Sequence, residues 1–246
     1  FDILKKLADI YYLQADYDQA ARTYETVLAL YPFVSQGPEI QDRIIRCYEL
    51  KKDVEGIVRA REDMIRRFGE GTEWEKKNEG NREVMAFRKK SMQDSLLSVA
   101  FFHHKKAQET KDLSDYNKAA ELYKNFLLRY PSTREAYEVQ FYYAECLFWS
   151  GRYDEAAMEY DKVIRFPETA YREEAAFSVV KSYEELIRTK EGDLKKPPPG
   201  GAASAEAHVP IPLSDLKQKY VRAVEQLSSL VPQHRQLPNL SYTVGE

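Results

Sequence analysis

An octet of the form Tyr-(Asp/Asn)-x-Ala-Ala-x-x-Tyr occurs three times in this chain, at Tyr17–Tyr24, Tyr116–Tyr123 and Tyr153–Tyr160. Three residues past each copy stands an apolar side chain (Val27, Phe126 or Val163), and each segment then meets a proline: Pro32, Pro131 or Pro167. Small and large residues recurring at fixed offsets mark a packing unit repeated along the chain. In the first unit Leu4, Leu7, Ala8 and Tyr11 form the i, i+3, i+4, i+7 stripe of an amphipathic helix. A turn at Ala15-Asp16 follows, then a second helix carrying Ala20, Tyr24 and Val27. Antiparallel helices approach to about 8–10 Å where the crossing side chains are small, and Ala8 and Ala20 supply that crossing. Ala144 and Ala156 repeat the same separation. Between them Gly151 reads as the stop of one helix, and Asp154-Glu155 suit the positive start of the next.

This pattern resembles the tetratricopeptide repeat (TPR), a helix–turn–helix unit with a period of about 34 residues. The resemblance implies an all-α fold, a right-handed α-solenoid of about five helix pairs forming a single array over 1–246. Units are placed at 1–34, 38–69, 93–133, 137–168 and 173–235. Ile57 replaces the expected small residue in the second, and in the fifth the helix of Tyr220, Val224 and Leu227 follows a long insertion. Residues 70–92 are extra and predict a helical segment extending the next helix. The third unit lengthens its turn region at Lys105–Lys111, by close to two helical turns. Residues 190–213, with Pro197-Pro198-Pro199-Gly200-Gly201, read as a flexible insertion.

Composition narrows the function classes. A net charge of −3 argues against a general nucleic-acid or membrane-surface binder, which is normally basic. No apolar run is long enough for a transmembrane helix. The chain opens at Phe1 without Met, inside an amphipathic stripe, so we read it as a fragment or mature form. Cys47 and Cys146 fall in different repeats and read as two buried free thiols. His103-His104 are neighbours about 100° apart on a helix and cannot ligate one metal as an i, i+4 pair would; one is expected near the groove and the other at the surface. No phosphate-cradling glycine loop, nucleophile elbow or Cys-x-x-Cys is present. The expectation is a non-enzyme with no cofactor.

In TPR arrays the first helix of each unit lines the concave surface. Carried over by position, the resemblance implies a partner-binding groove at Tyr12, Phe101, Phe141, Glu145, Phe148, Trp149, Phe177 and Lys181. The aromatics admit two readings: core packing, or a trough that grips a protein or peptide segment through anchors such as Trp149. Lys5 fits the carboxylate-clamp variety of TPR domain, but Asp9 stands where that mode needs Asn. Residues 116–183, with unit spacing of 36–37 and the joint Tyr130-Pro131-Ser132-Thr133, resemble bacterial cell-envelope TPR proteins of the Tol–Pal accessory and outer-membrane assembly lipoprotein types. That implies a scaffold or adaptor in a periplasmic or outer-membrane complex, with a cytoplasmic setting as the alternative. A component that self-assembles through its terminal repeats, or a regulatory segment of a larger enzyme, is the competing function.

Overall fold

The computed structural model describes residues 1–190 and 214–240. No strand occurs among them, and the helices run in chain order as α1 (Asp2–Leu13), α2 (Tyr17–Leu30), α3 (Gly37–Lys51), α4 (Val54–Phe68), α5 (Glu73–Asn78), α6 (Arg82–Thr110), α7 (Leu113–Arg129), α8 (Ala136–Trp149), α9 (Tyr153–Arg165), α10 (Arg172–Lys190) and α11 (Asp215–Leu230). Residues 237–240 are helical again. The chain divides into two compact units, Phe1–Tyr130 and Pro131–Glu246. From residue 191, the insertion expected at 190–213 lies outside the described residues.

The fold is all-α and built of helix pairs. In the first compact unit α1 pairs with α2, α3 with α4 and α6 with α7; in the second α8 pairs with α9 and α10 with α11. Three of the pairs cross at small residues: Ala8, Ala20, Ala144 and Ala156 are all fully buried, as are Ala107 and Ala119. The octet tyrosines Tyr24, Tyr123 and Tyr160 fill the space beside these crossings, each no more than 1% exposed.

Two kinds of turn alternate. Within a pair, one residue in the left-handed region reverses the chain: Ala15, Lys52, Lys111 and Gly151 all have positive φ. In the first three of these turns a carboxylate then caps the second helix, with Asp16 accepting from the Gln19 amide, Asp53 from Gly56 and Asp112 from Ser114. Between pairs, the residue before the linker proline donates its amide back into the ending helix, as Tyr31 to Val27, Tyr130 to Phe126 and Val231 to Leu227. Pro232 thus makes the same joint as Pro32 and Pro131, although the fifth unit carries no octet.

The extra segment at 70–92 is not a simple extension of the helix that follows. Thr72 caps the short α5, and Asn81 caps α6 separately, so the chain breaks at Glu79-Gly80. Trp74 of α5 is buried against Phe68, with ring centres 5.2 Å apart. The added length at Lys105–Lys111 is helix rather than turn, because α6 continues to Thr110 and only Lys111 leaves it. Cys47 and Cys146 are buried free thiols. Burial pushes the Cys47 thiol up to about 11 and moves Cys146 in the same direction.

Candidate functional site

The groove positions separate into distinct environments. In the first compact unit, Tyr12 lies half-buried with the Arg43 guanidinium over its ring at 5.2 Å. Arg43 also lines a cleft of ≈ 310 Å³ together with Lys5, Asp9 and Arg46 among others. Charges of both signs line this cleft, and several are paired there, as Lys5 with Asp9 at 3.0 Å. Phe101 is 40% exposed, with its ring edge on Tyr123 at 5.7 Å.

In the second compact unit, Phe141 must be removed from the open face. It is 4% exposed, stacked on Tyr171 at 4.6 Å and close to Tyr160 at 5.8 Å. Tyr171 comes from the turn before α10, so the next pair covers Phe141 and makes it core. Phe148 and Trp149 occupy the last turn of α8 instead. Phe148 packs edge-on to both Trp149 and Tyr153, at 5.4 and 5.3 Å. Trp149 remains 50% exposed, with its indole N–H 3.4 Å from a Glu145 carboxylate oxygen. Phe177 is half-buried against His234 at 4.8 Å. Lys181 pairs with Glu184 at 2.5 Å. Both Phe177 and Lys181 border a cleft between α10 and residues 236–240. In this unit the expected aromatic trough is therefore divided: Phe141 is core, Phe148 and Trp149 form one cluster, and Phe177 stands with His234.

Both histidines of the adjacent pair are buried, which corrects the expectation that one reaches the surface. His103 is 7% and His104 5% exposed. His103 Nδ1 lies 2.6 Å from Asp115, which also meets Lys106 at 3.0 Å. His104 Nδ1 lies 3.3 Å from the Tyr123 hydroxyl, and burial pushes its pKa down to about 4. Helix α6 packs against α4 and α7, so residues that diverge around it both meet protein.

A recurring polar tether was missed by reading the octet as packing alone. The Tyr24 hydroxyl donates to Asp9 at 2.5 Å, and the Tyr160 hydroxyl donates to Glu145. The acid is the residue after the crossing alanine, fifteen before the tyrosine in both pairs. That spacing is visible in the sequence. In the α3–α4 pair Arg61 holds the place of the tyrosine and bridges a different position, Glu49, twelve residues before it, at 2.8 Å. The two tethered acids titrate in opposite directions. Burial raises the Asp9 pKa, but hydrogen bonds from Tyr24 and Lys5 and the charges of Lys5 and Arg43 outweigh it and leave it lowered. At Glu145 burial wins over the bonds from Tyr160 and Trp149, and Glu174 adds repulsion, so its pKa is raised.

A raised folded-state pKa means that the protonated acid suits the fold better. The Glu145 contribution is therefore complete below the ordinary value of 4.5 and is lost as pH climbs through the folded value. Glu145→Gln retains an acceptor for Tyr160 without the buried charge. It should raise the thermal midpoint by roughly 2–4 °C at neutral pH and give no gain below about pH 4. Melting curves across that range check the sign.

Comparison with known proteins bears on what these pairs are. Residues 4–33 and residues 104–171 each match sequence models of the tetratricopeptide repeat. The chain carries TPR repeats. These TPR segments cover the α1–α2 pair and the stretch from the end of α6 to the start of α10. No curated protein matches the chain. Among solved structures, a Podosopora anserina kinesin light chain with nearly identical TPR-like repeats is 14% identical, aligned over 95% of this chain and 97% of that one, with a TM-score of 0.37. TPR repeats generally mediate protein–protein interaction on a non-catalytic scaffold. No described helix is long and apolar enough to cross a membrane.

Proposed function

We propose that this chain is a non-catalytic adaptor that captures a protein segment on the first-helix face of its second compact unit. The observation that carries the reading is Trp149, a large aromatic left half-exposed at the end of a well-packed helix. Its partners Phe148 and Glu145 hold the indole in place, so ordering it on binding costs little side-chain entropy. Phe177 and Lys181 on α10 add an apolar and a cationic contact to the same binding face. The spacing of residues 116–183 and the joint at Tyr130-Pro131 support a setting in a bacterial envelope complex.

Trp149→Ala should weaken partner capture by about thirtyfold, the equivalent of the roughly 2 kcal/mol of a good interface anchor. Circular dichroism should not change. The check is co-purification from an envelope fraction of the native cells, with wild type and variant side by side. Equal capture by both would remove Trp149 from the site, and a partner found only in the soluble fraction would remove the envelope setting.

A further inference from the structure

The second helices of the first two pairs, α2 and α4, leave a cleft between them over α3, which packs against both. It measures ≈ 610 Å³, within the roughly 300–1,000 Å³ of ligand sites. Ala29 on the α2 wall and Ala60 on the α4 wall are small, which leaves the cleft open. On the floor, Gln41 donates to the Ala60 carbonyl at 2.9 Å and ties α3 to α4.

Three arginines line the cleft, Arg22 from α2 and Arg59 and Arg67 from α4. None of them pairs with a carboxylate among the described residues. Arg59 lies over the neutral Tyr48 ring at 5.7 Å. Arg22 is exposed, and its guanidinium has no partner among the described residues. Arg67 is half-buried, and its Nε–H is shut off from water without an acceptor. An enclosed donor in that state is unfavourable, and an anion entering the cleft supplies what it lacks. The two acids of the lining are already engaged: Asp63 pairs with Arg66 at 2.5 Å, and Glu25 accepts from the Tyr48 hydroxyl at 3.3 Å. The cleft thus carries surplus positive charge in a chain whose net charge is −3.

Spacing decides what kind of anion fits. Arg59 and Arg67 are eight residues apart on one helix, about 12 Å along its axis, too far to clamp a single phosphate or carboxylate together. Each receives its own anionic group. Tyr48 touches both Arg59 and Glu25, which puts Arg22, one turn before Glu25, at the Arg59 end. Drawn out over that length, the cleft is narrower than a helix with its side chains, roughly 10–12 Å across. An extended chain rises about 3.3 Å per residue and turns alternate side chains to one side, so residues four apart reach from one arginine to the other.

We propose that this cleft binds an extended acidic segment of a partner protein through two carboxylate residues four positions apart, one at Arg22 and Arg59 and the other at Arg67. The surface is separate from the Trp149 face, and either can fail without the other.

The test uses the full chain and a fluorescein-labelled peptide, blocked at both ends, with two glutamates four positions apart in a serine- and threonine-rich background. A matched peptide has glutamine at both places. Fluorescence anisotropy should show the glutamate peptide binding about tenfold or more tightly than its match. The double variant Arg59→Gln, Arg67→Gln should lose that preference, and Trp149→Ala should keep it. Urea unfolding of the double variant should match wild type, because no ion pair is removed; Arg22→Gln, on the exposed opposite wall, gives an independent reading of the same loss. No preference for the glutamate peptide, or a preference that survives these variants, would overturn the proposal. Displacement of the peptide by an equal concentration of inorganic phosphate would also overturn it, by marking a site for one anion. So would a concentration-dependent dimer lost in the double variant, which would assign the cleft to a second copy of the chain.

Discussion

Trp74→Ala is expected to destabilise the first compact unit by about 3–5 kcal/mol, the range for truncating a buried aromatic. The indole is 2% exposed and its N–H donates to the Val34 carbonyl at 2.7 Å. It fills a slot between the end of α4, the turn before α3 and Gly37, where an added Cβ would stand 3.0 Å from the indole nitrogen. Asn78 closes the same slot by donating to the Phe33 and Trp74 carbonyls. Removing the ring leaves a cavity and deprives a carbonyl of its donor, while α5 loses the side chain that holds it. Trp74→Phe keeps most of the volume and should cost less, about 1–3 kcal/mol for the unsatisfied carbonyl. Urea unfolding followed by circular dichroism separates the two. Wild-type stability in Trp74→Ala would mean that α5 is not anchored this way.

Ala156→Phe is the second large effect. Ala156 and Ala144 face each other's helices with no exposed surface, and the ring of Tyr160 already fills the space beside them. A phenyl group there has no cavity to enter, so α8 and α9 must separate. Overpacking of this kind costs about 1–3 kcal/mol and sometimes more. The upper end is expected because separation also strains the Tyr160–Glu145 tether. Ala119→Phe tests the same crossing in the α6–α7 pair.

Much of the fold was legible because a TPR unit is local. Its alanines, its intra-pair turn and its linker proline all fall within one short window. Residues whose surroundings come from elsewhere were not legible. Phe141 has the helical position of a groove residue, yet Tyr171, thirty residues on, covers it. His103 and His104 are both buried because α6 is packed on two sides. The periodicity of a single helix carries no record of a second neighbour. The break between α5 and α6 depended on two caps, Thr72 and Asn81, in a segment with no repeat to align. The Asp9–Tyr24 and Glu145–Tyr160 tethers were within reach, since acid and tyrosine keep the same spacing in both pairs. In the sequence alone, an acid on the first-helix face reads equally well as a groove residue. At the candidate site, Trp149 stays exposed while Phe141 does not, a difference set by the next pair and not by the residues themselves.

The most direct test of the repeat as a packing unit compares equilibrium urea unfolding of Ala156→Phe with that of Met158→Phe. Met158 lies two residues along the same helix and is 51% exposed, so the two variants add the same ring to opposite environments. The expected result is a loss of about 3 kcal/mol for Ala156→Phe and a change within about 0.5 kcal/mol for Met158→Phe. Equal unfolding midpoints for the two variants would contradict the assignment of the octet alanines to the helix crossing.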